Sequence, residues 1–109
     1  MAEVIKTLAQ VAPLSTTATD AYIVPVSTST VISTITVCNQ GASAGAFRIS
    51  VAKAGAELDV KQYIYFDQHI GGKATYAITL GITLAASDVI RVFASSASMS
   101  FNIFGSEIT

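Results

Sequence analysis

The stretch from Val31 to Val51, VISTITVCNQGASAGAFRISV, constrains the fold more than any other part of the chain. Val31, Ile35 and Val37 recur at even spacing in its first half, and Phe47, Ile49 and Val51 in its second. Ser33, Thr34, Thr36, Arg48 and Ser50 lie between them. Apolar residues at period two mark strands with one buried face. The connection from Asn39 to Gly45 holds glycines, an asparagine and a serine, which tolerate turns and positive φ. The pattern predicts a β-hairpin with a loop longer than two residues. Cys38 falls on the opposite face, with Ile32, Thr34 and Thr36, so that face is expected under a second layer or a neighbouring subunit.

The rest of the chain repeats this theme. Residues 3–12 alternate, with Val4, Lys6, Leu8 and Gln10 on one side and Ile5, Thr7, Ala9 and Val11 on the other. They predict a strand or extended arm, ended by Pro13, which has no ladder donor. The expected organisation is an N-terminal strand or arm over residues 1–14 and a β-sandwich domain over 15–109. Asp20 to Val26 predicts a strand with Tyr22 and Val24 on one face and Pro25 at a sheet edge. Lys53 to Asp59 reads as a solvated loop. Val60 to Ile70, VKQYIYFDQHI, places Tyr63 and Tyr65 on one face and Ile64 and Phe66 on the other. A strand apolar on both faces is expected to be central or covered.

Gly71–Gly72 signals a turn. Ala74 to Leu84 predicts one strand with Tyr76, Ile78 and Leu80 inward and a bend at Gly81. Asp88 to Ala94 predicts the next, and Ala97 to Phe104 the last, with Met99, Phe101 and Ile103 inward. Gly105 to Thr109 reads as a short tail. Regular short strands and turns, with no long helix, predict an all-β, single-domain β-sandwich, jelly-roll-like, of about eight antiparallel strands.

Charge narrows the function. Only 12% of the 109 residues are charged, against about 25% in an average domain. A surface this neutral is a solubility risk for a lone monomer, so part of it is expected to be covered by copies of the chain or by a partner. The six basic residues, Lys6, Arg48, Lys53, Lys61, Lys73 and Arg91, form no stripe, so no nucleic-acid partner is expected. The longest uncharged run, Ala21 to Phe47, carries Pro25, Asn39, Gln40 and many hydroxyls, which argues against a membrane helix. The opening MAEVIKTLAQVAP lacks a basic start and an apolar run, so no secretory signal is expected. The lone Cys38 excludes an intramolecular disulfide and is expected to act as a small apolar residue.

Chemistry-bearing residues are few. His69 is the only histidine, with Asp67 two residues away, and no nucleophile accompanies them. Asp59, Asp67 and His69 match no metal-ligand spacing, and no phosphate loop or nucleophile elbow occurs. The expectation is a non-enzyme without cofactor or metal. Interface candidates are Val4, Ile5, Leu8 and Val11 in the arm and Tyr63, Tyr65 and Phe66 in the aromatic run. A carbohydrate platform of Tyr63, Tyr65 and Asp67 is the reading of a different class.

The string YIVPVSTSTVISTITVCNQGASAGAFRISVAKAG resembles a small protein family found in tailed bacteriophages. So do KQYIYFDQHI, GITLAASDVIRVFA and the closing SFNIFGSEIT, in that order, over nearly the whole chain. The resemblance implies an all-β, multimeric virion structural protein, a head decoration (cement) protein or a tail, neck or fibre component. It implies the major capsid protein and the chain itself as partners, on the outer surface of the phage head, after synthesis in the host cytoplasm. A homotrimer is expected by analogy with other β-rich virion proteins.

Overall fold

The computed structural model describes residues 2–109; Met1, the first residue of the expected arm, lies outside them. Nine strands run in chain order: β1 (Glu3–Val11), β2 (Thr19–Ile23), β3 (Ser29–Asn39), β4 (Gly45–Ala52), β5 (Tyr63–Ile70), β6 (Thr75–Ile78), β7 (Ile82–Leu84), β8 (Val89–Ala94) and β9 (Met99–Ile108). Two single turns of 3-10 helix, Lys53–Gly55 and Val60–Gln62, lie between β4 and β5.

The strands form two antiparallel sheets. The first has the order β1-β9-β3-β6, with β7 beside β6 on the same edge of β3; the second is β2-β8-β4-β5. The pairs nest: first strand with last, second with next to last, third with β6 and β7, fourth with fifth. That nesting is the order of a jelly roll, in which a long folded hairpin rolls into a sandwich. The expected strand Ala74–Leu84 is two strands filling one place, so nine strands occupy eight positions. Leu80, expected inward, lies where the chain leaves the sheet between them and is exposed.

β3 and β4 are not a hairpin. β3 lies in the first sheet and β4 in the second, so Gln40–Ala44 is an arch from one layer to the other. Local alternation is the same for both arrangements. The arch prevails because each strand is paired on both edges elsewhere, β3 between β9 and β6/β7 and β4 between β8 and β5, while their apolar faces meet across the core. Asn39, wholly buried, builds the arch: its Nδ2 donates to the carbonyls of Ser43 and Gly71, and its Oδ1 accepts from Gly41 N and Ser98 Oγ.

Val31 does not share a face with Ile35 and Val37. A bulge at Ser33 lets Ile32 pair with Gly105 and Thr34 with Phe104. Thr30 and Ile32 therefore point inward before the bulge, Ile35 and Val37 after it, and Val31 is exposed. β1 carries a matching bulge at Leu8, so both neighbours of β9 shift at the level of Phe104. Gly105 lies beside the β3 bulge, where a Cβ would come within 2.1 Å of the Val31 carbonyl oxygen. The expected tail is the end of β9, paired on both sides through Ile108.

The core joins the sheets through Phe47 on β4 and Phe101 on β9, whose ring centroids are 6.1 Å apart. Tyr65 and Tyr76 complete the aromatic cluster around Phe47. Ile35, Val37, Ile49, Ile90 and Ile103 fill the remainder.

Candidate functional site

Every expected site residue lies on strands, and the sheets sort them onto different sides. Of the strand or arm expected at the start of the chain, the structure has the strand, paired at a sheet edge. β1 is bonded to β9 over its full length, and Leu8, Ala9 and Val11 pack against the core. Val4 and Ile5 are exposed. β5, expected to be central, is an edge strand. It is apolar on both sides because its bulges turn Tyr65 inward and leave Tyr63 and Phe66 outside, around Arg48.

Those bulges separate Tyr63 from Tyr65. Tyr65 pairs with Ile49 and Tyr63 with Ser50, neighbours that point to opposite faces of β4. The Tyr65 ring thus packs inside against Phe47 and Tyr76, and burial and the Tyr76 hydroxyl raise its pKa. Tyr63 lies outside, with Phe66 at a centroid distance of 4.8 Å. The three members of the carbohydrate platform therefore do not share a side.

Outside the second sheet, the Arg48 guanidinium sits over the rings of Phe66 at 4.2 Å and Phe93 at 4.3 Å. It donates to both oxygens of Asp67, at 2.6 and 3.3 Å, and that carboxylate raises its pKa. Asp67 stands in the left-handed region at φ 51°, which an aspartate tolerates better than a bulky residue. This clamp ties the β5 edge to β4 and places a charge on it, a common guard against edge-to-edge pairing. The Asp67 carboxylate is thus engaged by Arg48, while His69 is exposed further along the strand. Nearby, Arg91 donates to Asp20 and to the Ala56 carbonyl, folding the 53–59 loop over Ser50. Beyond this polar centre runs an apolar rim along the 58–66 segment: Leu58, Val60, Ile64 and Phe66, of which Val60 is 82% and Phe66 57% exposed.

The outer face of the first sheet differs in kind. β9 presents Ser100, Asn102, Phe104, Ser106 and Ile108; β3 presents Val31, Thr34, Thr36 and Cys38. β1 adds Ile5 (83% exposed), Thr7 and Gln10, and the far edge adds Thr75, Ala77 and Thr83. Among the described residues, Glu3 at the start of β1 is the one charged residue on this face. Some of its polar groups pair within the face: Gln10 Nε2 donates to Asn102 Oδ1 at 2.8 Å, and Ser33 Oγ to the Phe104 carbonyl at 3.1 Å. A shallow recess opens between Ile5, Val31 and Ser106.

Of the residues expected on this second face, Thr34, Thr36 and Cys38 lie there, Ile32 is turned into the core by the bulge at Ser33, and the face extends well beyond β3. The signal lies in where the charges are not: from Ala21 to Phe47 and from Val92 to Ser106 no residue is charged, and β3 and β9 are neighbours. Among the described residues, no three His, Cys, Asp or Glu side chains come together as metal ligands, and no helix is long and apolar enough to cross a membrane. No protein-family model matches the chain, and a search of curated proteins returns no match.

Proposed function

We propose that this chain is a structural protein of a tailed-phage particle, a decoration protein that ties neighbouring major capsid subunits together on the outside of the head. One observation carries the reading. The two opposite outer sides of the sandwich are both suited to contact, one a neutral sheet face and the other an apolar rim along residues 58–66. A module with contact surfaces on opposite sides joins two neighbours, whereas a single concave pocket would suit a small ligand. The order of the phage-like strings along the chain supplies the particle.

In this mechanism the jelly roll is a rigid spacer. The rim of Leu58, Val60, Ile64 and Phe66 seats on a capsid subunit, and the neutral face is covered within the assembled layer. Each contact is modest, and many copies on one shell act together through avidity. The test is the copy number of this chain per purified particle, measured by quantitative mass spectrometry against the major capsid protein. A simple ratio to that protein is expected. A few copies per particle would move the protein to the tail or neck and remove the role of avidity.

A further inference from the structure

We infer that the neutral outer face of the β1-β9-β3-β6/β7 sheet is covered by the same face of a second copy of this chain, related by a two-fold axis. The inference rests on reading that face as an assembly surface, and names what covers it.

The area is sufficient. β3 has 11 residues, so at about 3.3 Å per residue it runs about 36 Å. Four strand positions at about 4.8 Å spacing make the sheet about 19 Å wide. The face is therefore about 700 Å² in projection, close to the roughly 800 Å² that each partner of a standard stable interface contributes.

The charge distribution suits a two-fold axis. Such an axis sets each patch against itself, so any charge near the centre meets its own sign or lies buried without a partner. Among the described residues, this face carries only Glu3, at the end of an edge strand. Arg48, Asp67 and Arg91, by contrast, lie on the second sheet. A three-fold ring needs two different complementary patches, and this face is one uniform patch.

The surface chemistry allows close approach. Most side chains near the centre of the face are small, Thr34, Thr36, Cys38, Ser100 and Asn102, with the Phe104 ring beside Thr34 as the large exception. Two such sheets can approach to the roughly 10 Å of ordinary sheet stacking. The Gln10–Asn102 and Ser33–Phe104 bonds lie within the face, so covering it leaves those groups paired. In the pair, both 58–66 rims point outward on opposite sides, which gives one dimer two separate footholds.

The experiment is sedimentation equilibrium on the purified full chain across a dilution series, with Thr36→Arg and Ala77→Arg on the face and Ile64→Lys on the opposite rim. The wild type and I64K are expected at twice the chain mass, and T36R and A77R at the single mass with a cooperative thermal melt retained. Ala77 is exposed at the sheet edge, so A77R reports even where T36R fails to fold. Cys38 lies on the same face and serves as an independent reporter: its alkylation is expected to slow as wild-type protein is concentrated, and to stay fast in A77R. A wild type that remains single at every concentration, a dimer that survives A77R, or a three-fold species would overturn the inference. These readouts use the isolated chain, so a dimer absent from phage particles would sink the decoration reading alone. High copy number with a monomeric chain would sink the dimer alone.

Discussion

The Tyr22 hydroxyl, on one sheet, donates to Oε2 of Glu107 on the other at 2.5 Å, while Lys6 Nζ approaches Oε1 of the same carboxylate at 2.6 Å. Thr30 Oγ1 shares the Tyr22 hydroxyl at 2.9 Å. Four strands, β1, β2, β3 and β9, are thus joined at one end of the sandwich through polar groups. Replacing Tyr22 by Phe removes the hydroxyl partner of Thr30 Oγ1 and of Glu107 Oε2, so chemical denaturation should show a loss of about 1–2 kcal/mol. No change in midpoint would remove this cluster from the account of stability.

The same cluster sets a pH dependence. Lys6, and then the Tyr22 hydroxyl, hold the Glu107 carboxyl below its ordinary value of 4.5. Its contribution is therefore fully present above pH 4.5 and lost as pH falls through the lowered folded value. Burial, reinforced by Glu107, pushes the Tyr22 phenol up from 10.0 to about 12. That contribution is fully present below pH 10.0 and lost as pH rises towards 12. Thermal midpoints should fall on both sides of this plateau. Glu107→Gln should shrink the acid fall and Tyr22→Phe the alkaline one; unchanged limbs in both variants would refute the assignment.

Gly105→Ala should be among the most damaging single-methyl additions, because the new Cβ meets the Val31 carbonyl oxygen, which a side-chain rotation cannot move. About 1–3 kcal/mol is expected from overpacking. Gly81→Ala, with nothing within 4 Å of the added Cβ, is the matched control. Equal losses in the two variants would contradict the close approach.

Asn39→Ala should cost about 1–3 kcal/mol, because two carbonyls, one amide and one hydroxyl lose a partner and part of that loss is buried. Hydrogen exchange should quicken first at Gly41, whose amide donates to the Asn39 side chain. Exchange that quickens elsewhere while Gly41 stays protected would show that the arch does not depend on this residue.

Deleting Ala2–Ala12 should destabilise the domain by about 3 kcal/mol or more, because it unpairs one side of β9 and uncovers the core beside Leu8, Ala9 and Val11. An unchanged melting temperature would return β1 to the status of a free arm.

The class of this protein was legible in the chain alone. Alternation at period two, closely spaced turns and scarce charge are local properties, and they are enough for an all-β sandwich with Tyr22, Phe47, Ile49, Phe101 and Ile103 inside. What a strand pairs with is not local. Val31–Val51 has the same alternation as a hairpin or as an arch between sheets, and only the competition of β9 for β3 and of β8 for β4 decided it. Bulges were equally hidden. One extra residue at Ser33 turned Val31 outward, and the bulges in β5 put Tyr63 and Tyr65 on opposite sides, because each insertion inverts the facing of the residues beyond it. The neutral face is the last such case. Its residues come from four strand positions far apart in the chain, and only the nested pairing of first strand with last brought them onto one surface.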